Sequence, residues 1–426
     1  MNIVIPFGSH ETLHGVLTHG TCIGTLDIAD VPGIADLSSR MDEVFACPIG
    51  QPDPVFNRFG PGDTVAITVS DQFRTTGVNQ ILPAVLGKLK ETGVDDGDIC
   101  FVFATGTHRP PTEQEQRTIL GQSVYEAFRG RICNHNPHDD SQLVHMGVTS
   151  RGTDVWLNRQ VVTRSRVIVT GACVLHYFGG YGGGRKGIVP GLAGVGTIAH
   201  NHAMNLDPHD DAVNPAVGIG KMSGNPVAED MLEAAKLLPI TCLINTVLNR
   251  QGQIAGLFAG DLELAHAQAA HFARSLYAIS IPRKADLVIA SSGGTRNFVQ
   301  SHKALYNAYQ AMKPGGRIVL ATQCPEGLGG EQFVKWLRLG SRSRVIAGLR
   351  QRSEINGQTA LSTLEKAPST YFVTNLSEQD TALMGGPKAS SLQEAIDRAC
   401  ADLGAKDITY YVMPSAAYTV PFVDEN

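Results

Sequence analysis

Apolar and polar positions along this chain switch repeatedly between two periods, and the switching predicts the architecture. Thr64-Val65-Ala66-Ile67-Thr68-Val69 is a short apolar run of the kind a fully buried strand requires. It closes on the polar stretch Ser70-Asp71-Gln72-Phe73-Arg74, after which Ile81, Leu82, Val85, Leu86 and Leu89 recur at helical spacing. The order then repeats. A second strand, 99–104, ends at Thr105-Gly106-Thr107-His108-Arg109-Pro110-Pro111 and is followed by a helical stretch over 112–128. A third run, Val167-Ile168-Val169-Thr170, leads into a glycine-rich segment, and a helix over 227–238 and a strand over 241–247 come next. Residues 1–60 read as loop-rich, with only short apolar runs. Strands alternating with helices predict an α/β protein with largely parallel sheets flanked by helices.

The pattern restarts after a helical segment over 262–277. Ile281-Pro282-Arg283-Lys284 connects to a strand over 285–290, the polar loop Ser291-Ser292-Gly293-Gly294-Thr295 and a helix through Gln300, Lys303 and Tyr306. A turn at Lys313-Pro314-Gly315-Gly316 and a strand over 317–321 complete a βαβ unit, which a strand over 373–375 and a helix over 392–403 extend. At 426 residues the chain exceeds the size one core sustains. The expected division is an N-terminal domain, 1–277, and a C-terminal Rossmann-like α/β domain, 278–426, with the active site in the cleft between them.

Composition narrows the function classes. A net charge of -5 offers no basic footprint, which argues against a nucleic-acid partner. No apolar run is long enough to span a bilayer, and the N-terminus lacks a charged-then-apolar signal layout, so no membrane association and a cytoplasmic location are expected. The eight cysteines contain no C-x-x-C pair and form neither a zinc nor a disulfide framework. They read as small buried side chains, including Cys173 near the suspected chemistry.

That chemistry lies at three predicted strand ends: Asp71 and Arg74, Thr107-His108-Arg109, and the stretch His176 to Lys186. In open α/β sheets this edge is where ligands bind. Five glycines fall between Gly179 and Gly184, interrupted only by Tyr181, so the backbone must come close to something there. The phosphate-loop pattern fails, because Arg185 precedes Lys186 and Gly187 follows it. Gly182-x-Gly184-x-x-Gly187 has the form of a dinucleotide fingerprint, but Pro190-Gly191 interrupts the helix that should follow. His108 and His176 are the acid/base candidates, since imidazole titrates near neutral pH. Two histidines on separate strand ends can address both faces of one carbon, as a racemase must. Arg74 and Lys303 could hold a carboxylate, Lys186 could anchor an anion or act as a nucleophile, and His200 or His202 could bind a metal. Neither His135, His138 and His145 with Asp139 and Asp140, nor His209 with Asp207, Asp210 and Asp211, fits a ligand template; both groups read as surface residues.

Together these pieces resemble the lactate racemase family, the nickel-pincer-nucleotide-dependent 2-hydroxyacid racemases and epimerases. The matching residues are Ser70-Asp71-x-x-Arg74 with Asn79, Gly106-Thr107-His108-Arg109-Pro110, His176 with the glycine run and Lys186, Pro190-Gly191-x-x-Gly194, Thr197 with Asn201-His202, and Gln300-x-x-Lys303. The resemblance implies a pyridinium mononucleotide with two sulfur-bearing arms gripping nickel, joined covalently to Lys186, with His202 completing the metal's coordination. Gly182, Gly183, Gly184, Pro190 and Gly191 would then line the cofactor. It also implies that His108 and His176 exchange the substrate hydroxyl proton while hydride leaves and returns to the 2-carbon. Arg74, Gln300 and Lys303 would grip the substrate carboxylate, with Asp71 orienting its neighbours. The implied partners are a small 2-hydroxyacid and the enzymes that synthesise the cofactor, and oligomerisation is compatible with the chain. Thr75, Gly179-Gly180 and the absence of a placeable pocket tryptophan depart from the family and bear on which 2-hydroxyacid is bound. The competing readings are a zinc-dependent or metal-free α/β hydrolase using His202, and a non-catalytic nucleotide-binding sensor.

Overall fold

The computed structural model describes residues 1–404 and 407–424. The chain forms two units: residues 30–208 with 213–276, and residues 1–29 with 209–212 and 277–426. Among the described residues no helix is long and apolar enough to cross a membrane.

The first unit is built on a six-stranded sheet in the order Ile254–Gly260, Cys242–Leu248, Arg166–Ala172, Val65–Ser70, Ile99–Ala104, Ile132–Asn134. All neighbours are parallel except the Ile254–Gly260 edge. Val65, Ala66, Ile67 and Val69 are fully buried, and so are Phe101, Val102 and Phe103. Burial on both faces explains why these strands read as continuous apolar runs rather than alternating ones. Leu82, Val85 and Leu89 of the helix Leu82–Glu91 pack in the same core as Ile67 and Phe101. The register sets Val65 beside Ile99 on one side and Arg166 on the other. Three neighbouring parallel strands therefore release their loops side by side at one sheet edge, and those loops carry Asp71, His108 and His176.

Two local expectations change in this unit. The helical stretch over 112–128 is two helices, Glu113–Leu120 and Gln122–Phe128, because Gly121 between them has φ 84°. A capping box of Thr112 and Glu115 opens the first of them. The polar region after residue 140 forms an antiparallel hairpin, Leu143–Val148 with Asp154–Asn158.

The second unit has its own six-stranded parallel sheet, ordered Lys388–Ala389, Thr370–Thr374, Met312–Thr322, Ala285–Ser291, Thr409–Met413, Thr21–Thr25. Its edge strand comes from the N-terminus, so residues 1–29 belong here and not with the segment that follows them, to which the sequence reading assigned them. The stretch read as loop-rich holds the hairpin Asn2–Phe7 with Glu11–Val16, this edge strand, and the helix Leu37–Ala46. Ile3, Ile5 and Phe7 face the core while their neighbours face out, an alternation too short to stand out in the sequence. Lys313 to Gly316 is a bulge inside Met312–Thr322: the register jumps from Met312 opposite Ala285 to Arg317 opposite Leu287.

Candidate functional site

Asp71 leaves the end of Val65–Ser70 and is 1% exposed. Its Oδ1 accepts the Phe73 N–H at 2.9 Å, and its Oδ2 lies 2.7 Å from His108 Nδ1. Burial pushes the Asp71 carboxyl up, but the His108 hydrogen bond and the charges of His108 and Arg74 outweigh it and hold the group below its ordinary value. A carboxylate only accepts, so Nδ1 of His108 carries a proton and a neutral ring presents its lone pair on Nε2. Phe73 stacks edge-on to His108 with ring centroids 5.2 Å apart. Arg109 turns away to Glu115, bonding both of its oxygens at 2.6 and 2.7 Å.

The second histidine has the opposite arrangement. His176 is 8% exposed, and its Nδ1 accepts the backbone N–H groups of Gly179 at 3.2 Å and Phe178 at 3.4 Å. A neutral His176 therefore carries its proton on Nε2. A Cβ on Gly179 would lie 3.4 Å from Lys186 Nζ and 3.6 Å from His176 Nδ1, so both side chains sit against one glycine. Phe178 is the hub of this cluster: its ring centroid is 4.7 Å from that of His176, 4.9 Å from that of His202 and 5.0 Å from Lys186 Nζ. His202 is 1% exposed; burial, with the Lys186 charge nearby, pushes it down to about 3. It is neutral at ordinary pH, the form that ligates metals.

The glycines serve a purpose that composition did not disclose. Gly183 has φ 70°, and a Cβ there would lie 2.8 Å from Asn245 Oδ1 and 2.9 Å from the Ala172 carbonyl oxygen. At Gly184, φ 50°, a Cβ would lie 2.4 Å from His266 Cγ. The close approach is to the protein's own strands at Gly183 and to the helix Leu262–Tyr277 at Gly184, with Asn245 Oδ1 accepting the Gly184 N–H at 3.0 Å. Gly183→Ala is expected to lower unfolding free energy by about 2 kcal/mol or more, combining left-handed strain with overpacking. Gly196→Ala, in a helix and with open space around its Cβ, should be neutral or stabilising. Urea denaturation of both variants checks the contrast; equal midpoints would refute it.

Pro190 and Gly191 also hold protein to protein. The Gly106 N–H donates to the Gly191 carbonyl at 2.9 Å, tying the His108 loop to the segment that follows Lys186. The Val189-Pro190 peptide is cis. His135, read as a surface residue, is 3% exposed and bridges Asn158 Nδ2 at 3.1 Å and the Ala193 carbonyl at 3.0 Å; burial pushes it down to about 4. His138 and His145 are exposed, as is His209. Cys173 is a buried core residue whose thiol burial pushes far up.

Sequence reading assigned no role to Arg185 and passed over His266. Arg185 is 2% exposed, yet its hydrogen bonds go to neutral groups: the Gly179 carbonyl at 2.8 Å and His266 Nδ1 at 3.1 Å. Its Nε has no hydrogen-bond partner. Burial pushes Arg185 down to about 10 and His266 to about 3. Two adjacent buried cationic side chains in a glycine loop suit an anionic group, and a neutral buried imidazole suits nickel. Among the described residues no group of three or more His, Cys, Asp and Glu side chains could hold a metal ion. Gln300 and Lys303 lie on Phe298–Ala311 in the other unit, three apart on one helix face.

Comparison with known proteins bears on all of this. The models of the lactate racemase N-terminal and C-terminal domains match residues 9–213 and 281–417. Lactate racemase of Thermoanaerobacterium thermosaccharolyticum is 30% identical over 277 residues, 64% of this chain and 63% of that protein. Lactate racemase of Lactiplantibacillus plantarum is 32% identical over 273 residues, 63% and 62% of the two chains. The chain thus matches somewhat under two thirds of the length of these relatives. The structure of the lactate racemase apoprotein from Thermoanaerobacterium thermosaccharolyticum superposes with a TM-score of 0.87 and 24% identity over the whole of both chains. A Thermotoga maritima protein superposes at 0.65 and 16% identity, over 88% of this chain and all of that one. These likenesses concern the fold, and the domain matches span well over half of the sequence. The chain belongs to the lactate racemase family.

Proposed function

We propose that this protein is a racemase or epimerase that inverts the 2-carbon of a 2-hydroxyacid, using a nickel-pincer nucleotide anchored on Lys186, with His202 as the protein's ligand to the metal. The observation that carries the reading is the opposed protonation of the two histidines. His108, with Asp71 on Nδ1, is set to take a proton at Nε2 and to hold it beside a carboxylate. His176, with backbone N–H groups on Nδ1, exchanges its proton through Nε2, and as a general acid gives it from the imidazolium, so that the neutral ring is left behind. A pair so arranged can remove the hydroxyl proton from one enantiomer and return a proton to the other. When bound, the cofactor would supply the hydride acceptor, which no side chain of the protein can provide. Arg74 serves in this reading as a carboxylate-binding residue, presenting a planar fork. The buried loop around Phe178 keeps water from Lys186 and His202.

The test is intact-protein mass spectrometry with metal analysis, on protein made in cells that also carry the cofactor-synthesis enzymes. A mass increase localised to Lys186 and nickel near one per chain are expected, followed by isomerisation within a panel of chiral 2-hydroxyacids that includes lactate and sugar acids. Unmodified Lys186 without nickel, despite competent synthesis enzymes, would remove the hydride mechanism.

A further inference from the structure

Asp230 belongs to none of the groups described above. It lies on the helix Pro226–Lys236 and is fully buried. Its Oδ1 accepts the Thr149 hydroxyl at 2.6 Å, and its Oδ2 accepts the Thr153 hydroxyl at 2.8 Å and Asn201 Nδ2 at 2.8 Å. The Thr149 hydroxyl itself accepts the Thr153 N–H at 3.1 Å, so its own proton is directed at Asp230. Asn201 Nδ2 donates a second time, to the Val227 carbonyl at 3.1 Å.

These contacts settle a choice that heavy-atom positions alone leave open, namely which end of an amide faces which neighbour. Both partners of Asn201 Nδ2 are pure acceptors, so the nitrogen must face them. Oδ1 is then the atom that lies 3.1 Å from His202 Nδ1. A carbonyl oxygen accepts only, so Nδ1 of His202 carries the proton, and the lone pair of the neutral ring is on Nε2. Ring nitrogens that bind metals usually have their other N–H held in this way, and losing such a partner typically costs 10- to 100-fold in metal affinity.

We infer that Asp230 is a positioning residue, acting through Asn201 to hold His202 in the tautomer whose Nε2 can bind a metal. The inference rests on the proposed role of His202, and its first test does not need the metal. In metal-free protein labelled with 15N-histidine, the two-bond ring spectrum of His202 at neutral pH should show Nδ1 protonated and Nε2 bare. A ring protonated on Nε2 alone overturns the inference. Asp230→Val removes the shorter of the two bonds that hold the Asn201 amide and leaves only the Val227 carbonyl to oppose its turning over, so the spectrum should move part of the way toward the Nε2-protonated form. Asn201→Leu, which removes the link itself, should do the same and serves if the valine variant does not fold. Asp230→Asn retains an oxygen for Asn201 and should keep the wild-type tautomer. In cofactor-loaded protein, nickel retained against a chelator, counted per Lys186 adduct, should fall about 10-fold or more in Asp230→Val and Asn201→Leu. Unchanged spectra in both variants would overturn the inference. If the spectra move as expected but His202→Ala retains nickel as well as wild type, His202 is not the metal ligand and the proposed function is at fault instead.

Discussion

Asp71→Asn is expected to lower kcat for racemisation by on the order of 10³-fold in both directions, with a much smaller change in KM. The variant keeps the shape of the side chain and changes only what its two terminal atoms can accept. In the native protein both oxygens are in use, one by the Phe73 N–H at 2.9 Å and the other by His108 Nδ1 at 2.7 Å. An asparagine has one acceptor for these two donors. If its oxygen stays on the Phe73 N–H, its NH₂ faces His108, whose Nδ1 must then accept and whose proton moves to Nε2. The lone pair that the proposed mechanism uses to receive the substrate proton is then lost from Nε2. An aspartate-to-asparagine change that imposes the wrong histidine tautomer costs about 10⁴-fold in the serine-protease triad. Here the exposed part of the ring leaves some freedom to relax. Steady-state kinetics from each enantiomer, with 15N spectra of His108, check the account. A kcat within threefold of wild type would show that Asp71 does not govern the tautomer.

The second large effect is on stability in mild acid. Burial holds His135 near 4 and His202 and His266 near 3 in the folded unit that carries the site, against about 6.5 in an unfolded chain. Above pH 6.5 neither state binds these protons and nothing is lost. Below it the unfolded chain takes up protons that the folded one refuses, so stability falls as pH falls. Each group contributes a slope of about 1.4 kcal/mol per pH unit through this window. Three together give roughly 4 kcal/mol per unit, a large part of what a domain has to lose. Carboxylates held low, such as Asp71, add their loss only at lower pH, below about 4. Urea unfolding at pH 7.5, 6.5 and 5.5 should show little change over the first interval and a steep loss over the second. His135→Gln, which keeps a donor for the Ala193 carbonyl, should flatten the slope by about a third. A stability that is level from pH 7.5 to 5.5 would show that these rings take up protons without unfolding.

The central strands, and the strand ends on which the candidate residues stand, were legible in the sequence for one physical reason. Strands buried on both faces must be apolar throughout, and the polar residues that interrupt them mark strand ends, where parallel sheets expose their loops. Val65–Ser70, Ile99–Ala104 and Arg166–Ala172 announced themselves in this way, and Asp71, His108 and His176 fell at their ends without any knowledge of strand order. The two-unit division was legible in outline from the restart of the pattern near residue 285.

Tertiary structure alone decided the rest, because each remaining feature depends on a partner remote in sequence. Thr21–Thr25 is an edge strand only because Thr409–Met413 lies beside it, and no local pattern could assign residues 1–29 to the C-terminal unit. The glycines signalled a close approach, but only the folded chain shows that Gly183 and Gly184 approach Ala172, Asn245 and His266. Histidine is equally ambiguous as a letter. His135 is a structural bridge, His108 and His176 carry their protons on opposite nitrogens, and it is Nδ1 of the buried His202 that meets the Asn201 amide, itself bonded to Asp230. The sequence determined which residues can do chemistry and on which strand ends they stand; hydrogen bonds between distant segments determined which atom of each is available.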